Sequence, residues 1–347
     1  MKTPNQALQP TGSIIGRLLR SNEPSVRFKV LTQVLGRTPD SDEVKHLQEE
    51  IRVSPRVKQL LSEQEADGRI PYDPYAKWYG AHWILAVLAD MGYPSGDPSL
   101  IPLREQVYAW LLGPAHKKRI LSSAGRVRRC ASQEGNALYA LLTLGFADER
   151  TEELARRLRQ WQWPDGGWNC DKNPAAMISS FMESLIPLRA LALHARLTGN
   201  EHSQQAAERA AQIFLKRRLF KRQYDESLMK KDFIKLHYPC YWHYDILFGL
   251  KVMAEEGWIR DERCREALEI LESKQLADGG FPAEGKYYRS GPRATTGRSL
   301  VDWGGTSATR MNQFVTVDAL LVVKASGRLK LTYGSPNQGD AADGAQL

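Results

Sequence analysis

The string His237-Tyr238-Pro239-Cys240-Tyr241-Trp242-His243-Tyr244-Asp245 gathers two imidazoles, a thiol and a carboxylate in one short segment. Cys240 and His243 are three apart, so a helix running through them would put both on one face. Together with Cys170, in Trp168-Asn169-Cys170-Asp171, they make a soft ligand set suited to zinc, the one cofactor these residues suggest. The alternative is a group of polar residues lining a pocket. His-x-x-Cys-x-x-His is no standard zinc spacing, and Pro239 would start the helix and direct His237 elsewhere. Asp245 and Asp318 fall in apolar helical runs. A carboxyl buried there needs a partner or a raised pKa, which is how a general acid is made. His243 is the expected partner of Asp245, and Glu134 and Asp171 are further acid candidates. Glu183 follows Ser180 as Ser-x-x-Glu, which a capping box explains.

Aromatic and polar residues cluster at or near the starts of the same runs. Trp78, Tyr79, His82, Trp168, Tyr241, Trp242, Tyr244, Trp303, Arg310 and Asn312 are the candidates to line a cavity. An apolar cavity with a few placed polar groups is the usual small-molecule site, and stacked aromatic faces can hold a cation. His82, alone on an apolar helix, also reads as a hydrogen-bonded core histidine.

A repeated turn shows what positions these groups. Gln162-x-x-Asp165-Gly-Gly-Trp168, Gln275-x-x-Asp278-Gly-Gly-Phe281 and the worn copy Gln64-x-x-Asp67-Gly-Arg-Ile70 recur at long spacing, which signals a repeat architecture. Apolar helices are expected at about 25–36, 78–92, 133–146, 179–198, 239–256 and 312–326. Charged, amphipathic helices alternate with them at about 42–63, 98–112, 150–162, 202–218 and 262–274. No convincing pair of alternating strands is found. An inner ring and an outer ring follow: an all-α, (α/α)6 toroid in which Asp-Gly-Gly ends an outer helix and Gln bonds its free carbonyls.

The Gln…Asp-Gly-Gly-Trp element resembles the QW motif of the terpenoid cyclase and protein prenyltransferase superfamily, over roughly residues 24–327. Squalene-cyclase-like and prenyltransferase-like proteins share that toroid, and the chain has room for one such domain. The resemblance implies an isoprenoid-like substrate in the central cavity. Two departures stand against the family's chemistries. The Asp-x-Asp-Asp acid string is absent; Asp40-Ser41-Asp42-Glu43 is a helix cap. At the prenyltransferase zinc string, Tyr238 replaces the Asp and no His follows on the last inner helix, leaving Cys240 alone. A non-catalytic toroid binding a lipid or protein, and an α/α-barrel enzyme acting on carbohydrate, are the alternatives.

The 347 residues carry a net charge of +8 and four scattered cysteines, a usage that suits a reducing, cytoplasmic setting. No apolar run is long enough for a bilayer or a signal peptide. Residues 13–333 are expected to form the toroid, with 1–12 flexible and 334–347 disordered. Basic residues are mostly diluted among acidic ones, which argues against a nucleic-acid partner. The run Lys216–Arg222, with Arg289, Arg293 and Arg298 in the long 281–310 connection, could meet an anionic head group or membrane surface; a solvated face and lid is the plain alternative.

Overall fold

The computed structural model describes residues 13–329; the expectations for 1–12 and 334–347 lie outside the described residues. In chain order the helices begin with α1 (Ile14–Leu19), α2 (Pro24–Lys29, prolonged by a π turn over Val30–Val34), α3 (Asp42–Arg52) and α4 (Pro55–Leu60). Then come α5 (Ala81–Met91), α6 (Ile101–Leu112), α7 (Pro114–Lys117), α8 (Ala131–Thr143) and α9 (Glu149–Trp161). The remainder are α10 (Phe181–Thr198), α11 (Glu201–Leu215), α12 (Ile246–Glu255), α13 (Arg265–Glu272) and α14 (Gln313–Ala325).

The apolar members α2, α5, α8, α10, α12 and α14 form the inner ring. Each packs on the next, and α14 returns onto α2 and its π turn, so the ring is closed. The amphipathic α3–α4, α6, α9, α11 and α13 pack outside, each against the inner helix before it. This is the α/α toroid expected from the periodicity. The sixth outer place falls to α1, which packs against α2 and pairs Arg17 with Asp278 at 3.0 Å.

Three identical turns build the repeat. Gln64, Gln162 and Gln275 donate from Nε2 to the carbonyls of Gly68, Gly166 and Gly279 at 2.7, 2.8 and 3.1 Å. Those glycines have φ of +80°, +101° and +82°, a region that L side chains avoid. Each glycine also faces the next outer helix closely. A Cβ on Gly68 would meet Pro102 Cγ at 2.7 Å, one on Gly166 the Arg209 carbonyl oxygen at 2.6 Å, and one on Gly279 Ile14 Cβ at 3.3 Å. The large apolar residue that ends each turn (Ile70, Trp168 or Phe281) is buried.

Three local expectations need correction. Pro55, capped by Ser54, divides the expected 42–63 helix in two. The helix expected from 239 begins at Ile246, because Asp245 is its N-cap and Tyr241 has φ +51°. Strand pairs do exist: Leu121–Ser123 and Arg126–Arg128 form a hairpin around Ala124-Gly125, both at positive φ, and a two-residue parallel pair joins Arg289–Ser290 to Arg298–Ser299.

Candidate functional site

The loops entering the inner helices meet on one face of the ring and are lined with rings. Trp78 stacks on Tyr241 with centroids 4.0 Å apart, and Trp83 meets both edge-on. Beside them Trp242, His243, Tyr287 and His237 stack in series at 4.0, 3.7 and 4.2 Å. The 281–310 connection is fastened over this rim. Trp78 N donates to the Arg298 carbonyl at 3.2 Å, Gly297 N to that of Lys77 at 2.7 Å, and Trp78 Nε1 to that of Tyr287 at 3.2 Å. Tyr288, Leu300, Val301 and Trp303 are buried beneath it, so this stretch is a packed cover with arginines outside.

Below the aromatic rim a cavity of about 80 Å³ lies inside the ring. Its upper wall includes Trp83, Cys240 and Tyr241, and Asn136, Tyr139 and Phe248 line it further. Asp90, Arg189, Lys251 and Asp318 supply its charged part. These belong to a buried network. Lys251 Nζ donates to Asp90 at 2.9 Å and to both Asp318 oxygens at 3.0 Å; Lys29 Nζ donates to Asp90 at 2.7 Å and Asp318 at 3.5 Å. Tyr238 OH donates to Asp90 at 2.9 Å, and Arg189 makes a bidentate pair with Glu255 at 2.6 and 2.7 Å while lying 3.9 Å over Tyr139. Three cations thus face three carboxylates, and the group is neutral. Burial alone would raise Asp90, but Lys251, Lys29 and Arg189 outweigh it and hold its carboxyl well below the usual range. Burial likewise opposes the Lys251 charge, yet Asp318 and Asp90 push its pKa upward.

The candidate acids occupy four different settings. Asp318 is in this network. Asp245 is fully buried: its Oδ2 accepts from His237 N at 2.8 Å, His237 Nδ1 at 3.0 Å and Cys240 Sγ at 3.6 Å, and its Oδ1 accepts from Phe248 N at 2.8 Å. The partner of Asp245 is therefore His237 and not His243, whose Nδ1 meets the Cys240 carbonyl at 3.1 Å. Burial lowers His243 to about 4. Glu134 is buried against His116 Nε2 at 2.7 Å, with Arg129 over the same ring. Asp171 is exposed in a turn whose next link is Asn173 N to Asp171 Oδ1 at 2.9 Å.

Among the proposed lining residues, Tyr241 lines the cavity, Trp78 stacks on it without lining the cavity itself, and His82 is buried between Tyr75, Trp83 and Trp110. Both His82 nitrogens lack a partner among the described residues, and burial lowers its pKa to about 3. Tyr79 packs edge-on against Tyr72, Trp168 Nε1 donates to the Leu158 carbonyl at 2.9 Å, and Tyr244 OH donates to that of Leu219 at 2.5 Å. Asn312 caps α14 and holds the Trp303 carbonyl at 2.7 Å. Arg310 is exposed. Trp242 is half-buried in the ring stack.

The metal set expected from Cys170, Cys240 and His243 does not assemble. Cys240 and His243 lie in a non-helical turn, and burial beside Asp245 pushes the Cys240 thiol well up, keeping it protonated. Among the described residues, Cys170 comes together with Cys130 and Glu183 instead. Of the residues that build the site, Lys29, Asp90, Arg189 and Lys251 went unnamed in the sequence, although a charge inside an apolar inner helix was the available signal. His237 was directed away from the site when it in fact organises Asp245.

The fold and site define an α/α toroid with a small, charge-lined central cavity. No protein-family model and no curated protein matches the chain. Among solved structures it is similar to the GH76A α-1,6-mannanase of Salegentibacter sp. HEL1_6, at 14% identity over 88% of each chain with a TM-score of 0.43. A family 76 glycoside hydrolase from a bovine Bacteroides thetaiotaomicron strain matches at 14% identity and TM-score 0.45, over 87% of this chain and 68% of that one. The type II terpene cyclase MstE from Scytonema, with geranylgeranyl dihydroxybenzoate, matches at 15% identity and TM-score 0.42 over 88% of each. Likeness at that level concerns the course of the chain alone. No helix among the described residues is long and apolar enough to cross a membrane.

Proposed function

We propose that this toroid binds a small molecule with an apolar or aromatic face and a polar end, and that it does not run acid-initiated isoprenoid chemistry. One observation carries the reading: the cavity measures about 80 Å³ and its carboxylates are already matched by lysines. Pockets for drug-sized ligands span roughly 300–1,000 Å³, so a long isoprenoid exceeds this space. A general acid must hold a proton near neutral pH. Asp90 is held ionised by Lys251 and Lys29, and Asp318 accepts from both lysines, so neither supplies that proton. Asn136 Nδ2, on the cavity wall and without a partner among the described residues, offers a ligand a donor. Trp83 and Tyr241 offer it aromatic faces.

Native mass spectrometry of the purified protein, then denaturation in the same instrument, tests this. A released mass of metabolite size, lost in Asn136→Leu with the helical circular dichroism unchanged, is the expected result. A co-purifying isoprenoid, or a cyclised product from squalene or geranylgeranyl diphosphate, refutes it.

A further inference from the structure

We propose that Cys130, Cys170 and Glu183 form a zinc site on the rim between α8 and α10, separate from the central cavity. Three chain segments deliver the ligands: the N-cap of α8, the loop before α10 and the first turn of α10. The two Sγ atoms and a Glu183 oxygen all lie within 4.8 Å of one another. Both cysteines are free thiols, so no disulfide accounts for their meeting.

The geometry suits the ion. Zn–S bonds of about 2.3 Å and Zn–O bonds of about 2.1 Å at the tetrahedral angle place sulfur and oxygen about 3.6 Å apart. Cys170 Sγ lies 3.5 Å from Glu183 Oε1. The other carboxylate oxygen, Oε2, accepts from Ser132 N at 3.0 Å, the kind of outer contact that fixes a ligand's orientation. Glu183 is buried, so its charge is costly there without a cation. The expected capping-box role does not explain it: Glu183 bonds the first turn of α8, not the N-cap of its own helix.

Cys130 stands at the N-terminus of the thirteen-residue α8, where helix dipoles favour a thiolate. Binding forms two Zn–S bonds and one Zn–O bond and releases the thiol protons to solvent, so affinity rises with pH. Two thiolates and one carboxylate favour zinc over magnesium or calcium. Three protein ligands leave a fourth position for water or a ligand atom, as in catalytic rather than structural zinc sites.

The test uses the full chain purified under reducing conditions, loaded with Zn²⁺ and dialysed against metal-free buffer. One equivalent of zinc should remain, and Co²⁺ in its place should give a thiolate-to-cobalt charge-transfer band. Cys130→Ser and the near-isosteric Glu183→Gln should each weaken binding about tenfold or more while the helical circular dichroism is unchanged. Failure of reduced wild-type protein to retain zinc, equal retention by the folded variants, or a Co²⁺ form without the thiolate band would each overturn the assignment.

Discussion

Gly166→Ala separates the two demands that the repeated turn makes on its glycine. The backbone demand is φ of +101°, and a left-handed L residue costs about 1–2 kcal/mol. The steric demand comes from α11: an added Cβ would sit 2.6 Å from the Arg209 carbonyl oxygen and 3.0 Å from its carbon. These are backbone atoms of a packed helix, and overpacking of that kind costs about 1–3 kcal/mol more. The sum is about 2–5 kcal/mol. Gly199, at the C-terminus of α10, supplies the control. Its φ is +71°, and a Cβ there meets nothing within 4 Å, so only the backbone cost of about 1–2 kcal/mol applies. At about 2 °C per kcal/mol for a chain of this size, Gly166→Ala should lower the Tm by roughly 4–10 °C and Gly199→Ala by roughly 2–4 °C. Differential scanning fluorimetry with circular dichroism reads both. Equal drops would mean that the turn does not clamp neighbouring outer helices, and the account of the repeat would fall.

Other perturbations probe the interior. Lys251→Met leaves Asp90 and Asp318 with Lys29 as their one remaining direct ion-pair partner among the described residues and should destabilise by about 3–5 kcal/mol in chemical denaturation, as loss of one buried partner does; a change under 1 kcal/mol would refute the network's coupling. Because the Asp90 pKa is depressed on folding, its stabilising share is complete above the unfolded value of about 3.9 and drains as pH falls below it. Asp90→Asn should flatten the acid limb of the stability curve, and an unchanged limb would count against this. His82 acts higher up. The unfolded chain takes up a proton below 6.5 that the folded chain refuses until about 3, so stability declines with falling pH across that window, by up to about 1.4 kcal/mol per unit. His82→Phe should reduce that slope, and denaturant titrations at several pH values would detect its persistence. Asp245→Asn should cost about 1–3 kcal/mol, since the amide cannot accept all three donors now on Oδ2; wild-type stability in the variant would return Asp245 to the list of candidate acids.

The toroid was legible because it is written twice, once in the alternation of apolar and amphipathic runs and once in the Gln-x-x-Asp-Gly turns. The Gln amides, the positive-φ glycines and the buried residue after each turn are local features, and local features survive reading one segment at a time. The start of α12 was not legible for a related reason. Pro239, Cys240, Tyr241 and Trp242 continue the apolar composition of the helix, while Asp245 ends the loop by capping Phe248 N. Composition cannot distinguish an apolar loop folded under a rim from an apolar helix. The partner of Asp245 was missed with it, because a helix from 239 turns His237 away and the observed loop brings it back. The zinc candidates failed in the same manner: spacing along the chain favoured Cys240 and His243, whereas Cys130, forty residues before Cys170, is its neighbour in space.

The central charges are the instructive case, since each of them looks like an active-site residue in isolation. Asp318 on an apolar helix satisfies every sequence criterion for a general acid, and the same is true of Asp90. Their partners come from helices that are distant in the chain: Lys29 from the first inner helix, Lys251 from the fifth. Lys29 bonds Asp90 on the second inner helix and Asp318 on the sixth, so the network spans the seam at which the two ends of the ring meet. Packing of α14 on α2 alone is an apolar contact that tolerates sliding by a turn. A buried lysine shared by carboxylates on both sides tolerates no such slip, because a shift would leave a charge unpaired at several kcal/mol. The charges therefore fix the register of ring closure. On the reading proposed above, recognition by this chain uses groups outside that network: the aromatic wall and Asn136 in the cavity, and the Cys130–Cys170–Glu183 group on the rim.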